Sequence, residues 1–381
     1  MGFTETLAGI LRKRPRAATP PVVPAAPCPP SQVRTLEELS AFIAAGGLAA
    51  HPLLDLSRRR WEGSRFARPI AEAADAEALR SLSLAEDRLA PPAARVLAAS
   101  PSLARLEALN LAGNPLGDEG VGQLASSPHL RALSRLDLSG TGLGDDGVVT
   151  LAQSPLLASV STLRLSGNRI GARGLAALGA SRFVASLRHL DLAGNPLGDE
   201  GARRLADAHA LAALQTLDLG RAHLGAQGAW ALAASPHLAQ LRTLSLKRNR
   251  IDSAGARALA ASHLPALETL VLSQNPLGDD GAIALAASTA LPSLRRLNLT
   301  RAGLGDVGAM ALASTVLPRL TTLLVGNNRI GTDGATALFT ARAPSLELLL
   351  LAGNLHDPAE ARRRANTLRM PPRPTPLAAA K

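Results

Sequence analysis

The chain repeats one short hydrophobic pattern along most of its length. Successive copies of Leu-x-x-Leu-x-Leu are 26 or 27 residues apart. A fixed period of this kind is typical of repeat architectures, in which each unit buries its apolar side chains by stacking on its neighbours. The copies begin at Leu79, Leu106, Leu133, Val160, Leu187, Leu214, Leu241, Leu267, Leu294, Leu320 and Leu346. They predict an elongated array over residues 79–354, with ten complete units and an eleventh strand.

Each unit contains the signals for one strand and one helix. The Leu-x-Leu half alternates as a strand with one buried face would. An Asn follows three residues after the last Leu in seven units, where its amide can satisfy backbone groups of the turn. A Gly-Asp pair then predicts a helix N-cap. The predicted capping residues are Asp118, Asp145, Asp199, Asp279 and Asp306.

A further glycine recurs two residues after the predicted cap, for example Gly201 and Gly281. Glycine inside a helix costs about 1 kcal/mol relative to alanine, so its recurrence predicts close packing against the neighbouring coil. With one strand and one helix per coil, we expect an α/β fold. We expect this fold to be a curved, right-handed βα superhelix with a parallel concave sheet and outer helices. Eleven strands about 4.8 Å apart give a sheet about 50 Å long.

These repeats resemble the leucine-rich repeat family. The helical half, Gly-Asp-x-Gly-Ala-x-x-Leu-Ala at 198–206, resembles the ribonuclease-inhibitor-like subclass and its bacterial GALA-like variants. The resemblance covers residues 79–354 and implies a leucine-rich repeat solenoid with a concave protein-recognition surface. It implies no particular partner.

The ends of the chain differ from the repeats. Residues 1–34 are rich in Pro and Ala, and we expect them to be disordered. Residues 35–78 predict a helical cap with a degenerate first coil, opened by a capping box at Thr35 and Glu38. Residues 355–369 predict a C-terminal capping helix, and residues 370–381 predict a disordered tail. Such caps shield the apolar ends of a solenoid.

The net charge of +11 invites a nucleic-acid interpretation. The repeat region nevertheless carries 25 basic and 20 acidic residues, a net charge of only +5. Three of the 41 cations are lysines, and the surplus of Arg, Ala, Gly and Pro indicates a GC-rich coding bias, as in a bacterium. We therefore expect no nucleic-acid partner.

Residues able to carry chemistry are scattered. Cys28 stands alone, which excludes a disulfide framework and a multi-cysteine zinc site. The eight His residues fall at different positions of different coils, and we expect solvated side chains. We therefore expect no catalytic, cofactor or metal site. No apolar run reaches the roughly 18 residues of a membrane span, so we expect no spanning helix. No cleavable signal is recognised, so we expect a cytoplasmic location. We also expect a monomer.

The outward positions of the predicted concave face hold two charged zones. An acidic zone contains Asp137, Asp191 and Asp218, with Arg164 between them. In the adjoining basic zone the Asn series is broken at Ala222 and Ala302. Its cations are Arg221, Lys247, Arg248 and Arg301. Arg is a favoured hot-spot residue of protein interfaces, although the Tyr and Trp anchors are missing here. The two interpretations are a partner-binding site and a solvated surface that varies by drift.

The sequence thus predicts a non-enzymatic scaffold that binds an unidentified protein partner on its concave face. One alternative is a GTPase regulator that resembles the Ran GTPase-activating proteins, which use this repeat subclass. No motif of this chain maps onto that activity. Another alternative is an Arg-mediated nucleic-acid binder, which predicts binding that weakens steeply with salt.

Overall fold

The computed structural model describes residues 33–59, 64–315, 317–341, 345–355 and 357–369. The two segments predicted to be disordered lie outside the described residues, apart from residues 33 and 34. Coils are numbered below from coil 1, which begins at Leu79, to coil 11, which begins at Leu346.

Short strands in chain order form one parallel sheet of twelve strands. The strands are β1 Leu53–Asp55, β2 Ser81–Ser83, β3 Ala108–Asn110, β4 Arg135–Asp137, β5 Thr162–Arg164, β6 His189–Asp191, β7 Thr216–Asp218, β8 Thr243–Ser245, β9 Thr269–Val271, β10 Arg296–Asn298, β11 Thr322–Leu324 and β12 Leu348–Leu350. Equivalent residues pair in register, as Leu190 does with Leu217. The eleven predicted strands are joined by β1, because the degenerate first coil also pairs with the sheet.

A helix follows the strand in each of the first ten coils. The helices are α1 Leu36–Ala44, α2 Gly47–Ala50, α3 Ala67–Glu72, α4 Pro91–Ala99, α5 Gly117–Ala125, α6 Asp145–Ala152, α7 Ala172–Gly179, α8 Gly198–Ala206, α9 Ala226–Ala234, α10 Ser253–Ala260, α11 Gly278–Ala286, α12 Asp306–Ala313, α13 Thr332–Thr340 and α14 Pro358–Arg369. The predicted capping box of α1 is confirmed, since Thr35 and Glu38 bond reciprocally through side chain and backbone. The predicted α/β solenoid is also confirmed.

The apolar core runs without a break along the stack. In coil 5 the three pattern leucines, Leu187, Leu190 and Leu192, are fully buried together with Leu197 in the following turn. The same positions are buried in coils 1 to 10, whereas in coil 11 Leu346 and Leu349 are partly buried and Leu351 is buried. These positions join one cluster from Val33 to Ala361. Because each coil is thin, its leucines are covered on both sides by neighbouring coils, as the repeat pattern predicts.

The recurring Asn bonds two coils together. Asn168 Oδ1 accepts from the backbone N–H groups of Thr141 (3.0 Å) and Leu143 (3.1 Å) in the preceding coil. Its Nδ2 donates to the carbonyls of Leu138 (2.8 Å) and Leu165 (2.9 Å). This buried amide therefore satisfies turn groups that no strand could pair, as predicted. Corresponding bonds are made by Asn114, Asn195, Asn249, Asn275, Asn328 and Asn354.

The prediction that the recurring Asp caps its own helix is wrong, because it caps the helix of the next coil. Asp199 Oδ1 accepts from the N–H groups of Gly225 (2.7 Å) and Gly228 (2.9 Å), at the start of α9. The own-helix N-cap position falls two residues earlier in the chain, at Leu197, and makes no side-chain bond. Stacking then places the carboxylate at the next helix start, where amides and dipole favour a negative charge. Asp118, Asp145, Asp279 and Asp306 do the same.

Where the preceding coil supplies the Asp, the recurring helix glycine makes room for this carboxylate. A Cβ added to Gly228 would lie 2.5 Å from Asp199 Oδ1, far inside contact distance. The close packing predicted from the glycine is therefore confirmed. At Gly174, Gly228, Gly308 and Gly334 the closest atom belongs to the Asp of the preceding coil, whereas at Gly201 and Gly281 it is the Cβ of a Leu in the same coil. Where the preceding coil lacks the Asp, the cap changes. Ala226 stands at that position in coil 6, and Asp252 of coil 7 caps its own helix instead.

The turns follow a three-coil order that the sequence analysis did not recognise. Asn-Pro-Leu-Gly-Asp turns at 114–118, 195–199 and 275–279 are each followed by a coil that lacks the Asn. In the turn at 195–199 the Leu197 N–H donates to the backbone carbonyl of Asn195, within the same turn (2.9 Å). That N–H needs no acceptor from the next coil, so Ala222 replaces Asn there. The breaks in the Asn series at Ala222 and Ala302 thus have a structural cause.

Asp279 and its neighbour Asp280 provide a matched test of the inter-coil cap. Asp279 accepts from Gly305 (2.6 Å) and Gly308 (3.0 Å), whereas Asp280 is exposed and bonds to no described residue. We expect Asp279→Ala to lower the free energy of unfolding by about 1–2 kcal/mol. Asp280→Ala, which removes the same charge, should change it by less than about 0.5 kcal/mol. Urea denaturation of both variants measures this, and equal losses would contradict the inter-coil cap.

Candidate interaction surface

Two rows of side chains cover the face of the sheet that the repeat pattern predicts to be concave, and we call it the concave face. The rows lie on either side of the buried central Leu of each strand. The inner row consists of the third residue of each strand, and the outer row consists of the first. Asp137, Arg164, Asp191 and Asp218 occupy the inner row on the successive strands β4 to β7. The structure therefore brings together four of the eight residues predicted for the site.

The charges of this inner-row group are held in place. Arg164 Nη1 lies 3.6 Å from Asp137 Oδ2, and Arg164 pairs in register with Asp191 on its other side. Each aspartate also accepts from the N–H two residues further on, at 3.0 Å for Asp137, 3.0 Å for Asp191 and 2.8 Å for Asp218. These bonds close the turn after the strand and fix each side chain.

The bond from the N–H two residues further on also has a structural role, since it closes the turn. Asn110 and Asn298 make the same bond from the same row, to Ala112 and Thr300. The amide side chain is therefore sufficient for the turn, and the turn alone does not require a carboxylate. What distinguishes coils 3, 5 and 6 is the negative charge that they place on the concave face.

Burial weakens the acidity of one member of the group. Partial burial raises the pKa of Asp191, and the neighbouring carboxylate of Asp218 raises it further. A carboxylate beside a like charge in a half-buried row favours the protonated form. A cation placed beside Asp191 would therefore favour its ionised form.

His189, in the outer row of the same strand, was not singled out by the sequence analysis. Burial lowers its pKa, and the nearby cations Arg164 and Arg188 lower it further, so its ring is neutral at pH 7. Its Nδ1 is buried and has no partner among the described residues. The only sequence signal was its position, since Thr fills the outer row on the next three strands, β7 to β9.

The basic residues lie at the edge of the concave face, just after the strands. Arg221, Arg248 and Arg301 have φ values of +55°, +56° and +55°, a left-handed conformation that costs a non-glycine residue about 1 kcal/mol or more. Coils 2 to 5 place glycine at this position. Coils 6 to 10 do not, and neither does coil 1, where Glu86 has a φ of +59°. We call the five residues of coils 6 to 10 the left-handed row. It consists of Arg221, Arg248, Gln274, Arg301 and Asn327.

Contacts connect part of the basic zone to the acidic one. Lys247 Nζ lies 3.9 Å from Asp218 Oδ2, and its stem passes over Gly220, where a Cβ would lie 2.8 Å from Lys247 Cγ. Arg248 Nε donates to Gln274 Oε1 at 2.8 Å. The guanidinium groups of Arg221 and Arg301 are exposed and have no partner among the described residues. Arg301 is separated from Arg248 by the coil of Gln274.

The described ranges contain no group of three or more His, Cys, Asp and Glu side chains arranged to hold a metal ion. None of the helices within them is both long and apolar enough to cross a bilayer.

Comparisons with known proteins agree with the architecture. Eight segments match the family described as Leucine Rich repeat. They are residues 105–125, 127–152, 157–179, 185–206, 237–260, 263–286, 290–313 and 317–339. No curated protein sequence matches the chain.

Two solved structures match the chain at low identity. One is an internalin (inlF) from Listeria monocytogenes, at 18% identity and a TM-score of 0.48, covering 76% of this chain and 78% of that one. The other is a chain of the mouse RP105/MD-1 complex, at 18% identity and a TM-score of 0.51. The match covers 79% of this chain and 50% of the mouse chain. This chain therefore spans half the length of the mouse chain.

Asp191→Asn tests the electrostatics of the inner row. The pKa of Asp191 is raised in the folded protein, so above the ordinary aspartate pKa of 3.8 ionisation favours the unfolded state. Asn keeps the turn bond and removes this penalty. We expect the variant to be more stable at pH 7, by less than about 1 kcal/mol, and equal to the parent below pH 3.8. Thermal denaturation across pH measures the difference, and lower stability at pH 7 would contradict this assignment.

Proposed function

This chain is a leucine-rich repeat protein, and we propose that it is a non-enzymatic scaffold that binds a protein partner on its concave face. Repeat solenoids commonly use their extended concave surface in this way. We assign the repeats to the ribonuclease-inhibitor-like subclass, since an α-helix follows the strand in each of coils 1 to 10. A bacterial source, a cytoplasmic location and a monomeric state stay predictions from the sequence.

The observation that carries the proposal is the run of fixed charges across coils 3 to 7. Asp137, Arg164, Asp191 and Asp218 succeed one another on β4 to β7, and Lys247 follows just after β8. Two ion pairs and two in-register strand pairings link these side chains. A partner that meets side chains already held in place loses little conformational entropy on binding. This supports the partner-binding interpretation over surface drift, which has no reason to produce ordered neighbours.

The arrangement also indicates how such a face discriminates between partners. The inner row alternates in sign at Asp137, Arg164 and Asp191, so a partner has to present charges in the complementary order. In the outer row, Thr216 on β7 and Thr243 on β8 are partly exposed and offer hydroxyl groups for hydrogen bonds, while Arg135 on β4 adds a further cation. Specificity then depends on the order of charges across the coils and less on apolar anchoring.

A steric block of the concave face tests the proposal. Thr216→Trp with Thr243→Trp places two indoles in the outer row of β7 and β8. Gln227→Trp with Ala254→Trp adds the same groups to exposed helix positions on the opposite side. Proteins captured from the native host are identified by mass spectrometry, and the affinity of each is then measured by calorimetry.

We expect the concave variant to lose at least about tenfold in affinity, or about 1.4 kcal/mol, while the helix variant binds like the parent. Circular dichroism of both variants checks that the solenoid is intact. A partner that binds the folded concave variant as tightly as the parent would contradict the proposal.

A further inference from the structure

The left-handed row is the most unusual feature of the molecule that the scaffold proposal leaves unused. Its five residues belong to five successive coils, and all have φ between +55° and +60°. Coils 2 to 5 show that glycine fits the same turn, with φ between +63° and +71°. Coils 6 to 10 thus retain a strained backbone that glycine would relieve. Strain of this kind is characteristic of functional positions, where the side chain offsets its cost.

The turns of these coils carry positive charge without any carboxylate. The five segments 219–223, 246–250, 272–276, 299–303 and 325–329 contain no Asp or Glu. The matching segments of coils 2 to 5 contain a single cation, Arg169. The cations of coils 6 to 10 are all exposed. They are Arg221, Lys247, Arg248, Arg250, Arg301 and Arg329.

We propose that the left-handed row binds a short acidic segment of a partner protein, a step that rests on the proposed scaffold function. Arginine pairs with carboxylates through two parallel N–H bonds, which gives both energy and orientation. From Arg221 to Arg301 there are three strand spacings, or about 14 Å. An extended chain covers that distance with about four or five residues. The row therefore suits a cluster of Asp and Glu that lies across the strands.

The surroundings favour an acidic peptide over a nucleic acid. The five turn segments contain no Phe, Tyr or Trp on which a base could stack. Lys247 reaches back to Asp218, and Asp191 stands beside Asp218 in the inner row. These carboxylates border the row and repel a phosphate backbone that is wider than a single extended peptide. A peptide segment touches the row alone.

Glycine substitution provides the test, because coils 2 to 5 already carry glycine at this position. The triple variant Arg221→Gly, Arg248→Gly and Arg301→Gly removes three cations without disturbing the turn. The control Arg105→Gly, Arg131→Gly and Arg182→Gly removes three exposed cations from the loops at the opposite edge of the coils. Fluorescence anisotropy with a labelled ten-residue polyglutamate peptide measures binding to the full chain.

We expect the row variant to bind the peptide at least tenfold more weakly, with a melting temperature equal to or above that of the parent. The control should bind like the parent, and added salt should weaken binding to the parent. Unchanged peptide affinity in the row variant would overturn this inference. It would leave the scaffold proposal standing, because that proposal is tested by the tryptophan variant of the sheet. The inference would also be overturned if a ten-nucleotide thymidine strand bound the parent as tightly as the peptide, or more tightly, and the row variant lost that binding.

Discussion

Hydrogen bonds between successive coils are the interaction on which this solenoid depends. Three-residue strands pair only a small part of the backbone. The turns between them contain N–H and C=O groups, and each such group would cost about 1–3 kcal/mol if it were buried without a hydrogen bond. Asn168 satisfies two N–H groups of the preceding coil, and Asp199 caps the helix of the following one. Leucine burial supplies the driving force for stacking, and these polar side chains fix the register in which the coils stack.

This interaction also explains what the sequence could predict and what it could not. The strands, the outer helices and the buried leucines follow from periods that lie within one unit. The partner of Asp199 could not be read in the same way, because Gly225 belongs to the next coil and becomes its neighbour only after stacking. The reason for Ala222 likewise lies in the preceding turn, where the Leu197 N–H bonds to Asn195. Aligning the units by turn type would have exposed the three-coil order.

The candidate site was predictable to a similar degree. The alternation of the strands placed Asp137, Arg164, Asp191 and Asp218 on one face, and the structure puts them in one row. The left-handed conformation of Arg221, Arg248 and Arg301 required the backbone, although glycine at the same position of other units was a usable signal. His189 was missed because a single His among Thr residues has no chemical motif around it. The same rigid turns that join the coils also hold the charged groups of the surface.

Hydrogen exchange in an Asn249→Ala variant tests the central claim most directly. Asn249 accepts from the N–H groups of Ala222 (2.9 Å) and Leu224 (3.1 Å), both in the preceding coil. The account predicts that these two amides exchange at least about tenfold faster in the variant, a loss of about 1.4 kcal/mol of protection. The amides of Thr141 and Leu143, which depend on Asn168, should keep their protection. Unchanged exchange at Ala222 and Leu224 would contradict the claim that each coil is held by its neighbour.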